Sequence, residues 1–298
     1  YTATIGNCYN TGIVSGTKAQ YVGGVSGASD QGTITNCYNT GAVSGSETVG
    51  GVSGRILSKG KITNCYYDSD KCSGNVVGYN GGVVADVNGK TTAQFNSGEV
   101  EYLLSQGCTI GGGEDAVTYD GSVWGQTIGT DKYPVLDGAK VYYGYEKCNS
   151  TEMTYSNKVI SQTYPAHDYD NGFCKVCNAY EPATQNADGV YEIGNAGQLY
   201  WFADKVNNDN ETYTNANAVL TANIVVNENV LNDNGELNSG TFEPWTPIGS
   251  DTSDYGGTFD GQNHTVSGLY FSSSVNNVGF FGYVASGGNV LNVGVVDS

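Results

Sequence analysis

The tripeptide Asn7-Cys8-Tyr9 returns as Asn36-Cys37-Tyr38 and again as Asn64-Cys65-Tyr66, at spacings of 29 and 28 residues. Its surroundings return with it. Gly12-Ile13-Val14-Ser15-Gly16 matches Gly41-Ala42-Val43-Ser44-Gly45, and Val22-Gly23-Gly24-Val25-Ser26-Gly27 matches Val49-Gly50-Gly51-Val52-Ser53-Gly54. Self-similarity at a period of roughly 20–50 residues marks stacked units, none of which can bury its apolar side alone. Each copy holds three short β-type runs (TIxNCY, GxVSG, VGGVSG) separated by Gly, Asn or Ser, the turn residues. Three short strands that close on themselves once per repeat make a parallel β-solenoid. The predicted class is therefore all-β, a right-handed parallel β-helix in segments with short capping helices.

Within the runs, alternation points Ile5, Ile34 and Ile62 inward, with Cys8, Cys37 and Cys65 stacked inside as well. The glycines are expected at the corners, where φ > 0 is needed. Thr33, Thr35, Thr63, Ser44 and Asn36 are expected to face outward.

After Cys65 the pattern decays. Thr92 and Ser97 are acceptable N-caps, and Val100, Leu103 and Leu104 share one helical face, so a short amphipathic helix is expected to close the last coil. Trp124, Ile128, Tyr133-Pro134-Val135-Leu136 and Val141-Tyr142-Tyr143 extend that cap. A new unit opens near Tyr191, with a helix whose Asn195 and Gln198 fit a capping box and whose Leu199, Phe202 and Val206 line one face. Strand-like runs follow at 218–220, 224–226, 258–259, 264–266, 278–282 and 290–294. The domains read as 1–145, solenoid coils with a C-terminal cap; 146–187, a Cys/His-containing linker; and 188–298, an N-terminal cap with the first coils of a second solenoid.

Charge limits the partners. Twelve Lys+Arg against thirty Asp+Glu give a formal net charge of −18, and Arg55 is the only arginine. Nucleic-acid binding needs cations to displace phosphate counterions, so it is excluded as an expectation. No apolar stretch is long enough for a spanning helix, so no membrane insertion is expected. Tyr1-Thr2-Ala3-Thr4-Ile5 resembles neither a natural start nor a signal peptide, and the chain reads as cut from something larger.

Two cysteine sets stand apart. Cys8, Cys37 and Cys65 repeat with the coils and read as an internal column of small apolar side chains. Coils about 4.8 Å apart would also permit one disulfide between neighbours in that column. Cys148, His167, Cys174 and Cys177 follow the spacing C-x18-H-x6-C-x2-C. They are candidates for a tetrahedral Cys3His zinc site that staples a segment poor in apolar residues. A disulfide, expected in an oxidising exterior, and unmodified thiols are the alternatives. Structural calcium is a second cofactor candidate, at Asp68/Asp70 or near Asp233 and Glu236, but neither stretch has the ligand count of an EF-hand loop, and solvated loops are the plainer reading. Asp260 and His264 could form an acid–base pair; a turn aspartate followed by a strand-opening histidine is the plainer reading. No catalytic residue is assigned.

VGGVSG, GTITNCYNTGAVSG, the opener YEIGNAGQLYWFADKVN and the run WTPIGS…YGGTFDGQNHTVSGLYF…VGFFGYV resemble the GLUG-motif repeats of large secreted and surface-anchored bacterial proteins, many from gut bacteria. WGQTIGTDKYPVL resembles the closing segment of such arrays, and HDYDNGFCKVCNAYEPA resembles a short His/Cys motif between their modules. VGGVSG departs from the usual VGGLVG form. The resemblance implies a β-helix, an extracellular, cell-surface location and a non-catalytic scaffold or adhesion role, with a host surface or glycan as partner. Alternatives are a β-helical carbohydrate-active enzyme or carbohydrate-binding module, and a fibre subunit that self-associates end to end through open solenoid edges.

Overall fold

The computed structural model describes residues 3–110, 117–208, 212–272 and 277–298, in two compact units, Tyr1–Pro165 and Ala166–Ser298. In the first unit, strands Thr4–Gly6, Thr33–Asn39, Lys61–Asp68 and Val83–Lys90 run parallel in one sheet. Their register aligns Ile5, Ile34, Ile62 and Val84 in one row, and Cys37, Cys65 and Val87 in another. Val14–Gly16 pairs with Val43–Gly45, and Tyr21–Gly23 with Thr48–Gly50. Ser26–Ser29, Ser53–Ile56 and Val77–Asn80 form a third parallel set. Each strand's partner is the same position of the next repeat, which makes the unit a β-solenoid. Ile34, Val52, Ile56, Ile62, Cys37 and Cys65 fill its interior, with Ile5 partly buried against them.

The expected straight run VGGVSG is a corner. It is split between Tyr21–Gly23 and Ser26–Ser29, and in the next coil between Thr48–Gly50 and Ser53–Ile56. The glycines also act differently from expectation: among the described residues none between Gly6 and Gly60 has a positive φ. The left-handed positions are Asn7, Asn36 and Asn64, at φ of 52°, 49° and 46°. Asn is among the few L residues that reach this region routinely. One left-handed residue shifts the in–out alternation by one, so Ile34 and Cys37, three apart, are both buried. The Asn64 amide donates to Asn36 Oδ1 at 2.7 Å, so the same side chains also tie coil to coil. Gly24 and Gly51 are set by contact instead. A Cβ on Gly24 would lie 2.2 Å from Asn39 Cγ, and one on Gly51 would lie 2.4 Å from Tyr67 Cγ.

Where the sequence pattern decays, the solenoid continues for another coil. Val84 pairs beside Ile62, Val87 beside Cys65, and Asp86 takes the left-handed position at φ 52°. Cys8 departs from the expected column. It is exposed, because among the described residues its coil has a neighbour on one side only, and its N–H donates to Cys37 Sγ at 3.4 Å. Thr35 and Asn36 are buried rather than outward-exposed, because the antiparallel strands Cys108–Ile110 and Val117–Tyr119 lie over them. Thr35 Oγ1 meets Cys108 Sγ at 2.9 Å, and Asn36 Nδ2 donates to the Tyr119 carbonyl at 3.4 Å.

The single expected helix is two, Thr92–Asn96 and Glu99–Ser105, interrupted at Gly98 with φ 92°. The first is capped by Thr91 rather than Thr92, in a capping box with Gln94. Phe95, Val100 and Leu104 pack on Tyr38, Tyr66 and Trp124 in one cluster. The helices therefore cover the tyrosine row on the side of the solenoid and do not close its last coil. Among the described residues, Val83–Lys90 pairs with no strand beyond Lys61–Asp68.

The second unit repeats the architecture with aromatic filling. Tyr191–Ile193, Ala218–Leu220, Thr258–Asp260 and Asn289–Leu291 are parallel neighbours, as are Ile224–Val225, Thr265–Ser267 and Gly294–Val296. The run 278–282 is not a strand; it contributes the single bridge Ile248–Phe281. The helix Ala196–Asn208 buries Leu199, Tyr200, Phe202, Ala203 and Val206 against Ile193, Leu220, Ile248 and Phe259. Asn195 Oδ1 accepts from the Gln198 N–H at 2.9 Å, while Gln198 Oε1 accepts from Gly194, one residue before the position a capping box requires.

Candidate metal centre

The segment before the second solenoid is shaped by one dipeptide. Asn171 and Gly172 have φ of 46° and 79°, the two-positive-φ turn that matches the twist of a tight hairpin. It joins Tyr169–Asp170 to Phe173–Cys174. The chain then turns again, with the Asn178 N–H donating to the Cys174 carbonyl at 2.8 Å and the Cys174 N–H to Ala179 at 2.9 Å.

These two turns gather His167, Cys174 and Cys177, whose ligand atoms lie within 4.8 Å of one another. Cys177 Sγ is 3.4 Å from His167 Nδ1. Cys174 is buried, which alone would push its thiol up. Hydrogen bonds from His167 and from the Val176 and Cys177 N–H groups outweigh this and bring it down to about 6. The Tyr169 ring stacks on His167 at 5.5 Å. The remaining member of the predicted spacing, Cys148, lies in the first unit, half-buried in the turn that the Ser150 N–H closes onto the Lys147 carbonyl at 3.1 Å.

The hairpin is docked on the helix Ala196–Asn208. Asn171 Oδ1 accepts from the Ala196 N–H at 3.2 Å, and the Asn171 carbonyl from Gly197 at 2.9 Å. Phe173 and Tyr180 pack their rings on Tyr200. Residues 166–187 thus belong to the start of the second unit.

The other candidates are accounted for by local structure. Asp68, fully buried, accepts from Thr92 Oγ1 at 2.7 Å and the Asp70 N–H at 3.1 Å, and pairs with Lys71 at 3.2 Å. Asp70 accepts from the Thr92 N–H at 2.8 Å. Both acids hold the start of the helix Thr92–Asn96. In the loop with Asp233 and Glu236, Asn232 Oδ1 accepts from the Asn234 and Glu236 N–H groups at 2.9 and 3.0 Å. Asp260 Oδ1 accepts from the Gln262 N–H and Asn292 Nδ2, which lowers its pKa, and His264 Nδ1 faces Asn223 Oδ1 at 3.2 Å. Each has a partner other than the one an acid–base pair would require.

Sequence reasoning missed Glu101. Its residue is fully buried, neither carboxylate oxygen has a hydrogen bond of good geometry, and burial pushes its pKa up to about 8. The Lys140 charge and the Val141 N–H oppose this only partly. The signal was present one residue from Val100 and three from Leu104, on the face that the apolar positions define.

Residues 18–44 match the family model described as the GLUG motif. No curated protein and no solved structure matches the chain. The matched stretch contains Tyr21–Gly23, Ser26–Ser29 and Thr33–Asn39, one strand from each of three solenoid sides. The chain therefore carries a GLUG-motif repeat, folded as part of a parallel β-solenoid.

Proposed function

We propose that this chain is a non-catalytic repeat module of a bacterial cell-surface protein, an extended scaffold that presents its flanks for adhesion to a host surface or glycan. The reading rests above all on the coincidence of the GLUG match at 18–44 with the winding of the solenoid. The side chains repeated along the first unit support it, because they bond to their counterparts in the next coil. Asn10 donates to Asn39 at 2.8 Å, Ser44 to Ser15 at 3.2 Å and Asn64 to Asn36 at 2.7 Å. Groups used in this way hold a rod together.

The test places the full chain on a glycan array and, in parallel, incubates it with a panel of polysaccharides while reducing ends are counted. Retention on particular glycans with no release of new ends is the expected result. Release that scales with protein concentration would overturn the scaffold reading in favour of a carbohydrate-active enzyme.

A further inference from the structure

We propose that His167, Cys174 and Cys177 hold a structural zinc ion that locks the Asn171-Gly172 hairpin onto the second solenoid. The first support is geometric. Zn–S near 2.3 Å and Zn–N near 2.0–2.1 Å give a tetrahedral S···N edge of about 3.6 Å. Cys177 Sγ and His167 Nδ1 are 3.4 Å apart, and all three ligand atoms fall within 4.8 Å. A metal ion would need to draw any pair together by at most about 1 Å to complete such a polyhedron.

The second support is the hydrogen bonding around sulfur. Cys174 Sγ receives the Val176 and Cys177 backbone N–H groups. Donors aimed at a buried sulfur fix its orientation, as the outer shell of a metal site does. Soft thiolates with an imidazole select zinc over the hard, oxygen-seeking cations. The third support is position. The hairpin is two residues per strand and contributes only Phe173 and Tyr180 to the aromatic contact with Tyr200. A segment this short gains most of its order from a cross-link.

The experiment uses the full chain, purified under reducing conditions and analysed for metal, then exchanged into cobalt(II). One zinc per chain is expected, and a cobalt–thiolate charge-transfer band that falls by about one half in each of C174S and C177S. H167A is expected to bind at least about tenfold more weakly, while H167C, which keeps a ligand at that position, retains the metal. Chelation is expected to lower the melting temperature of the transition that unfolds the second unit and leave that of the first unchanged. A metal-free chain that gives no cobalt band, with Cys174 and Cys177 joined as a disulfide by mass spectrometry, overturns the proposal. Because the readouts are metal content and absorbance, neither result depends on whether the protein binds a glycan.

Discussion

Replacing Glu101 with Gln tests whether the first unit carries a buried acid that works against it at neutral pH. The folded chain holds the carboxyl proton up to about 8, and the unfolded chain releases it near the ordinary 4.5. Between those values the folded state binds one proton more than the unfolded state, so stability falls as pH rises, by about 1.4 kcal/mol per pH unit. Stability is fully present below the unfolded value and levels off above the folded one. Across the whole window the loss is about 5 kcal/mol, and between pH 5 and 7 it is about 3 kcal/mol. For a unit of this size, about 3 kcal/mol corresponds to a fall in melting temperature of roughly 5–10 °C. Both histidines, His167 and His264, belong to the second unit, so no imidazole of the first unit titrates in the same interval. Calorimetry of wild type and Glu101→Gln at pH 5, 6, 7 and 8 should show a falling transition in the wild type and a flat one in the variant. Gln fills the same space and cannot ionise, so it should be the more stable at pH 7. Parallel curves for the two proteins would refute the argument.

Gly51→Ala should destabilise the first unit by about 1–3 kcal/mol, measured by urea denaturation, because the new Cβ meets the Tyr67 ring and one of them must shift. Asn64→Ala should cost about 2 kcal/mol, from the left-handed backbone and the lost bond to Asn36. Asn64→Gly should recover the backbone share only, so equal losses in the two variants would count against a conformational role. Ile34→Ala should cost about 2–5 kcal/mol in the same assay, as a cavity in a fully buried row. Gly197→Ala should loosen the Cys/His hairpin, since its Cβ would lie 1.8 Å from the Gly172 carbonyl oxygen; faster exchange of the Glu181 amide, which donates to that carbonyl, is the measurement.

The solenoid was readable in Asn-Cys-Tyr and VGGVSG because a stack of coils writes its period directly into the chain: what is buried in one turn must be buried in the next. Ile5, Ile34 and Ile62 could be placed in one row on that ground alone. The fourth coil escaped because Val84-Ala85-Asp86-Val87 keeps the chemistry of Ile62-Thr63-Asn64-Cys65, an apolar residue, a left-handed Asx and another apolar residue, without its letters. Periodicity in letters is a stricter test than periodicity in physical role. The sequence reading gave the left-handed positions to Gly for a related reason. Both residues tolerate left-handed backbone, and only the fold shows that the repeat glycines are pressed by Asn39 and Tyr67 while the asparagines carry the bend.

Local order along the chain thus determined the winding, the apolar row, the helix at Ala196–Asn208 and the grouping of His167, Cys174 and Cys177, since each follows from spacings within a few residues or one repeat. Tertiary structure alone decided which outward residues are covered, that the helices Thr92–Asn96 and Glu99–Ser105 lie on the tyrosine row, and that Glu101 is cut off from water. These outcomes depend on segments that return from far along the chain, such as Cys108 over Thr35 and Trp124 beside Tyr38. A contact between distant segments leaves no period in either of them, so it becomes visible only when both have been placed in space.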